Sequence, residues 1–173
     1  MNNKLTSYYS SFNLSGIGFT IISSTAGIKN IVMNNSDINI RNSIRLRPDD
    51  PYLYDIRTQL KEYFSGGRKV FDLPLDLQGA DFQLKVWREL LKIPYGETIT
   101  YKELAKRLGD PKCIRAAAKA NGANPIPIIV PCHRVIGSDG SLTGYAGGLE
   151  IKEKLLVLEG SRTSNLFVSA SHL

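Results

Sequence analysis

The pentapeptide Pro131-Cys132-His133-Arg134-Val135 places a thiol beside an imidazole at the end of an apolar run, residues 126–130, that is entered through Asn124-Pro125. A thiol with a base nearby is the minimum equipment of a sulfur nucleophile, because the thiolate attacks and a free cysteine is only slightly ionised at neutral pH. The same pair also fits a core cysteine followed by a surface histidine. Neighbouring side chains on an extended segment point to opposite sides, so sulfur and imidazole meet only through a bend or a bridging water. A third group should orient the imidazole. Glu159 stands where an apolar-faced helix ends and has the charge for that task, although a lone glutamate there also reads as a solvated helix end.

The residues around the pair must position it. Three prolines between Asn124 and Pro131 lack the donors of a strand ladder, so this stretch reads as a rigid extended spoke through the core, with Asn124 tying down irregular backbone or simply starting a turn. Downstream, the glycine-rich run 137–148 has no Gly-Lys-Ser/Thr ending of a phosphate loop. It suits a pocket wall that presents Tyr145, or a plain surface loop. Upstream, residues 80–93 form an amphipathic pattern with Phe82, Val86, Trp87, Leu90 and Leu91. Thr100 caps a helix over 101–108, with Glu103 completing a capping box, and Gly109-Asp110-Pro111 turns into a third helix over about 112–120. Two short helices joined by a tight turn make a helix-turn-helix pattern. Ala116-Ala117-Ala118 makes its second helix thin, suited either to close packing on its own core or to close approach to another surface, and Arg115 and Lys119 share one face. A last helix, 149–159, turns Ile151, Leu155 and Leu158 inward, and the tail from 161 reads as loosely held.

The first part of the chain is different in character. Residues 17–23 and 28–33 are rich in β-branched side chains around a Thr25-Ala26-Gly27 loop, which predicts a hairpin. Pro51 opens a helix with Leu53, Ile56, Leu60 and Phe64 at helical spacing, and Gly66-Gly67 ends it. Residues 70–77 read as extended, and the polar stretch 34–47 as loop. The expected fold class is α+β, with a domain over 1–78 and a mostly helical one over 79–173.

Composition sets further bounds. No run approaches the roughly 18 apolar residues of a membrane span, and the N-terminus lacks the apolar core of a secretory signal, so a cytoplasmic protein is expected. Cys113 and Cys132 are the two cysteines and His133 and His172 the two histidines, too few and too scattered for a structural metal site. Neither a metal nor a cofactor is expected. The net charge is +6, and residues 85–119 hold nine basic against four acidic side chains, which is compatible with a polyanionic partner.

Taken together, residues 128–135, Asn124-Pro125 ahead of them and Gly144-Tyr145-Ala146-Gly147-Gly148-Leu149 behind them closely resemble the O6-alkylguanine-DNA alkyltransferase family. The likeness runs from about residue 82 to 160 and includes Tyr95-Gly96-Glu97-Thr98 and Thr100-Tyr101. It implies an N-terminal ribonuclease-H-like α/β domain followed by a winged helix-turn-helix-type domain. It implies that a monomer acts on duplex DNA bearing O6-alkylguanine and transfers the alkyl group irreversibly to Cys132, once per molecule. By the same resemblance, His133 acts on Cys132 through a water and Glu159 orients His133. Asn124 hinges the recognition helix to the active-site segment, and Tyr101 donates to the departing guanine. Arg115 enters the base stack, with Thr100, Ala116 and Lys119 beside it against the DNA, while Tyr145, Ala146 and Gly147 wall the pocket. Many relatives carry serine where this chain has Ala146, which removes a side-chain hydroxyl from guanine O6 and leaves the backbone N–H. A non-catalytic lesion-binding or regulatory DNA module is the alternative, and a cysteine hydrolase a more distant one.

Overall fold

Isoleucine- and phenylalanine-rich alternation makes Ile17–Ser24 (β2) the spine of a four-stranded sheet, because Ile17, Phe19 and Ile21 all face one buried side. The computed structural model describes residues 7–34, 40, 43–47 and 50–163. β2 pairs antiparallel with Ser7–Leu14 (β1) on one side and with Gly27–Met33 (β3) on the other. β1 is a strand that the residue pattern did not announce, since the polar Ser10 occupies its inward, buried position. The stretch read as loop between 34 and 47 also contains a strand, Ser43–Arg45 (β4), which joins β1 in parallel and completes the order β3-β2-β1-β4. A strand of three residues is held by its neighbour's ladder rather than by its own propensity. Residues 35–39 and 41–42 of that stretch lie outside the described residues.

Pro51–Phe64 (α1) covers the buried face of the sheet. Its inward row is Leu53, Ile56, Leu60 and Tyr63, all within 3% of full burial, whereas Phe64 sits at the edge of the core. After α1, residues 70–77 run extended without forming a regular strand. Ile28 N–H donates to Pro74 O at 2.9 Å and Asp76 N–H to Ile28 O at 2.8 Å, which fastens the segment to β3. The approach demands glycine at 27, where φ is +145° and a Cβ would lie 2.4 Å from the Pro74 carbonyl oxygen.

The second half begins with Asp81–Leu90 (α2), shorter than the expected 80–93 because i→i+3 bonds tighten the chain at Lys92 and Ile93 ahead of Pro94. It buries Val86, Trp87 and Leu90 and leaves Phe82 and Leu91 exposed. Thr100 closes Ile99–Thr100 (β5) and caps Tyr101–Arg107 (α3), its hydroxyl accepting from Glu103 N–H at 3.1 Å. The capping box is half formed, for the Glu103 carboxylate turns instead to Arg107 Nε at 3.4 Å. Asp110 Oδ1 accepts from Lys112 N–H at 2.9 Å, and this local turn delays the next helix to Ile114–Gly122 (α4), two residues later than expected at both ends. α2 grips the C-termini of both helices: Lys85 Nζ donates to Leu108 O at 2.7 Å and Trp87 Nε1 to Ala120 O at 2.9 Å.

The stretch 124–131 is buried but does not run as an extended spoke. Val130 N–H closes on Ile126 O at 2.9 Å, and Ile128 takes a positive φ of 77°, a strained value for a β-branched residue. With three prolines removing donors, the remaining N–H groups can be satisfied only by folding the segment back on itself. A tight bend at Pro131, where Cys132 N–H donates to Val130 O at 2.8 Å, leads into a 3₁₀ turn over Cys132–Arg134. Val135–Ile136 (β6) then pairs in parallel with β5, and Leu149–Leu158 (α5) follows the glycine-rich loop. α5 buries Ile151, Leu155 and Leu156, with Leu158 only partly buried and Lys152 unexpectedly inside. The two halves are joined by Ile31 N–H donating to Pro125 O at 2.9 Å and by a shared core. The tail beyond residue 163, with His172, lies outside the described residues.

Candidate active site

The 3₁₀ turn at Cys132–Arg134 settles how a thiol and the imidazole that follows it are arranged, because its bend removes the strict alternation of an extended strand. Cys132 is 4% exposed, and its sulfur accepts a hydrogen bond from Asn124 Nδ2 at 3.0 Å. The second hydrogen of that amide goes to Val130 O at 2.7 Å, while Asn124 Oδ1 accepts from Ile126 N–H at 3.0 Å. One side chain therefore holds both ends of the turned segment and the sulfur itself. Asn121, on the last turn of α4, adds a long bond from Nδ2 to Cys132 O at 3.4 Å.

His133 is fully buried, and its Nε2 lies 2.8 Å from Glu159 Oε1. Glu159 is no solvated helix end. Its Oε1 also accepts from Tyr63 Oη at 2.6 Å and Arg134 Nη2 at 2.9 Å, and its Oε2 from Arg134 Nε at 2.9 Å and Gly96 N–H at 3.4 Å. Burial works to raise this carboxyl, but the hydrogen bonds from His133 and Arg134 and the Arg134 charge outweigh it and hold the group at about 2. An ionised carboxylate has no proton to give, so Nε2 must be the donor. Burial lowers the His133 pKa against the pull of Glu159, which leaves the ring neutral. A neutral ring protonated at Nε2 carries its lone pair on Nδ1, and Nδ1 is buried without a hydrogen-bond partner among the described residues.

The thiol itself is held back. Burial pushes Cys132 up to about 11, against the lowering effects of the Asn124 hydrogen bond and the Lys152 charge. Lys152 is buried on α5 and donates from Nζ to Val135 O at 2.8 Å and Thr143 O at 2.9 Å. Burial lowers its pKa to about 8, while Cys132 works in the opposite direction. The ammonium thus ties the wall of the glycine-rich loop to the cysteine segment and sits 6.0 Å over the Tyr101 ring.

Of the other residues singled out from the sequence, Tyr145 is buried with its ring nearly perpendicular to that of His133, centroids 6.4 Å apart. Tyr101 Oη accepts from Thr143 Oγ1 at 3.2 Å, which leaves its own proton free to donate. Ala146 is exposed and, with Asn124, lines a groove of about 290 Å³ that reaches to Asn30–Met33 of β3. Gly147 packs against Met33 and Tyr145, where a Cβ would come within 2.8 Å of Met33 Cε. Arg115, Ala116 and Lys119 lie on the exposed face of α4, whose other face buries Ala117 and Ala120. Thr100 is half-buried at the start of α3. Three residues at the site escaped the sequence reading of roles. Arg134 stood inside the motif already quoted, whereas Tyr63 and Lys152 left no signal beyond their place on helices.

Two sequence models together span nearly the whole described chain: 6-O-methylguanine DNA methyltransferase, ribonuclease-like domain, over residues 8–77, and the DNA binding domain of the same family over residues 81–161. The chain belongs to the 6-O-methylguanine DNA methyltransferase family. Within that family it is 56% identical over 113 residues to the methylated-DNA–protein-cysteine methyltransferase of Methanosarcina acetivorans, covering 65% of this chain and 72% of the relative. The constitutive enzyme of that name from Bacillus subtilis is 52% identical over 112 residues, 64% of this chain and 68% of its own. The crystal structure of Mycobacterium tuberculosis O6-methylguanine methyltransferase superposes with a TM-score of 0.82 at 41% identity, over 92% of this chain and 96% of that one. The structure of the Mycobacterium tuberculosis OGT in complex with DNA gives 0.81 at 42% identity, over 89% and 93%. The family carries the expected two-domain α+β architecture, a sheet domain followed by a helical DNA-binding domain. Among the described residues no helix is long and apolar enough to cross a membrane.

The Glu159 carboxyl, ordinarily at 4.5, is held at about 2, so its stabilising contribution is present above pH 4.5 and is lost as pH falls toward 2. Glu159→Gln is expected to lose about 3–5 kcal/mol at neutral pH, the cost of breaking a buried pair. Denaturant unfolding across pH should show that deficit shrinking below pH 4.5; a deficit independent of pH would contradict the assignment.

Proposed function

We propose that the chain repairs DNA by taking the alkyl group of O6-alkylguanine in a duplex onto its own Cys132, once per molecule. The observation that carries this reading is the grip of Asn124 on the Cys132 sulfur at 3.0 Å, two residues after the end of a helix whose outer face carries Arg115, Ala116 and Lys119. A helix able to approach DNA and a buried thiol are thereby parts of one continuous piece of chain. Relatives named methylated-DNA–protein-cysteine methyltransferases and the DNA complex of a structural neighbour support the same activity and partner. Residues 1–78 serve as the ribonuclease-H-like domain and 79–173 as the DNA-binding and reactive domain. The protein is taken as a cytoplasmic monomer, which cell fractionation and sedimentation would check.

In the resting protein the proton stays on sulfur, because burial pushes the thiol well above its ordinary range. His133 Nδ1 takes that proton through a water, with Glu159 holding the ring in the required tautomer. Lys152 favours the thiolate that forms. Sulfur bonds to the alkyl carbon as the carbon–oxygen bond breaks, and its electron pair passes to the guanine. Tyr101 donates a proton toward that departing base and recovers one through water as His133 gives up the proton taken from sulfur, so the guanine leaves neutral and both residues return to their starting forms. Tyr145, Ala146 and Gly147 form the pocket wall, with the Ala146 backbone N–H in place of a hydroxyl toward guanine O6.

The nucleotide must leave the stack before it can reach a buried thiol, at a cost of a few kcal/mol. Arg115 offsets part of that cost by filling the gap, while Lys119, Ala116 and Thr100 meet the backbone beside it. A thioether offers no carbonyl for water to attack, so the reaction ends with one transfer.

The test is incubation with a duplex oligonucleotide carrying labelled O6-methylguanine. The label is expected on Cys132 at one equivalent and to be absent in Cys132→Ala; label freed into solution, or repair by the alanine variant, overturns the reading. In the same assay Arg115→Ala is expected to slow transfer about tenfold in duplex, a fraction of the extrusion cost, and to leave single-stranded substrate little changed. Equal slowing in both would remove Arg115 from its role.

A further inference from the structure

Tyr63 is the last inward residue of α1, in the N-terminal sheet domain, yet its hydroxyl donates to Glu159 Oε1 at 2.6 Å across 96 residues of chain. The residue is fully buried. Its ring stands edge-on to Phe64 and Tyr95, with centroids 5.4 and 6.1 Å away, and tilted against Phe71 at 5.3 Å. Burial first, then the Glu159 charge and hydrogen bond, raise its pKa far above 10, so it remains a donor at every working pH. The oxygen it reaches is the one that accepts from His133 Nε2. Tyr95, a second phenol nearby, is spent on Leu158 O at 3.0 Å.

We infer that Tyr63 is a positioning residue for alkyl transfer, through which the N-terminal domain completes the relay that acts on Cys132. The inference rests on the relay reading given above. Arg134 fixes the plane of the carboxylate with bonds to both oxygens, so geometry alone does not require a further donor. What the Tyr63 hydroxyl adds is competition. It draws charge from Oε1 and weakens the pull of Glu159 on the imidazole proton.

Without it, Oε1 faces Nε2–H with fuller charge, the imidazolium is favoured, and the His133 pKa rises. A protonated Nδ1 cannot accept the thiol proton. The other charges that bear on the ring, Arg134 on the same turn and Lys152 on α5, both lower its pKa and are unchanged by a substitution at Tyr63. The acid limb of the rate profile therefore moves to higher pH when the hydroxyl is lost.

The experiment uses the full chain with Tyr63→Phe, which keeps the ring and removes the hydroxyl. Single-turnover transfer from a labelled O6-methylguanine duplex is followed from about pH 5.5 to about pH 8.5, beside duplex affinity. The expected result is an acid limb displaced upward by about one pH unit, hence a rate that falls progressively below that of the unsubstituted protein toward the acid end of the range, by about tenfold at most, with the rate near pH 8.5 and the affinity close to those of the unsubstituted protein. An unchanged profile, or a loss uniform across pH, overturns the inference. Should Tyr63→Phe not fold, 3-fluorotyrosine at position 63, a stronger donor, is expected to move the limb to lower pH, and an unmoved limb overturns it equally. The unsubstituted protein distinguishes the two readings: if it transfers no label, the relay itself falls, whatever the variant does.

Discussion

An ionised carboxylate in the interior of a protein is costly unless its oxygens are fully hydrogen-bonded, and Glu159 meets that condition with donors from three separate parts of the chain. Tyr63 arrives from α1, Gly96 from the turn before β5, and His133 and Arg134 from the 3₁₀ turn, while the carboxylate itself ends α5. Each element is held in place partly because the charge needs it there. The same bonds leave Nε2 of His133 no choice but to donate. Fold and tautomer are two consequences of one desolvated charge.

The thiol shows the opposite tendency. Burial favours its neutral form, and the groups that oppose burial, the Asn124 amide and the Lys152 ammonium, do not overcome it. A cysteine kept protonated at rest resists adventitious alkylation and needs a base close by when its substrate is in place. Asn124 connects this chemistry to the helix-turn-helix with little slack, since α4 ends at Gly122, two residues before it, and residues 126–132 that follow are buried. α2 makes the helix-turn-helix rigid from behind, through Lys85 and Trp87. The strained Ile128 marks where the chain is forced to turn so that its remaining donors find partners.

Local signals were legible in the residues wherever the cause is local. Thr100 caps α3 by a bond to a residue three positions on, and the apolar rows of α1 and α5 follow the helical period. The motif around Cys132 named the family, and the relay proposed above rests on that resemblance. Less could be read where distant segments decide. Ser43–Arg45 is a strand because β1 lies beside it, and Ser10 is an inward polar residue in a strand that its own pattern hides. The turn at 126–130 depends on which donors three prolines remove and on an Asn124 side chain that replaces them. Tyr63 could not be assigned a role from sequence, for nothing at position 63 refers to position 159. Nothing local to Lys152 announces the two distant carbonyls that hold its ammonium inside.

The central claim is that Glu159 fixes a neutral His133 with its proton on Nε2 and a bare Nδ1 toward the reaction. Nitrogen NMR of the ¹⁵N-histidine-labelled protein, with His133 assigned by substitution, tests it without recourse to activity. At neutral pH the account expects a protonated Nε2 and an unprotonated Nδ1. A proton on Nδ1, whether in the other tautomer or in the imidazolium, would contradict it.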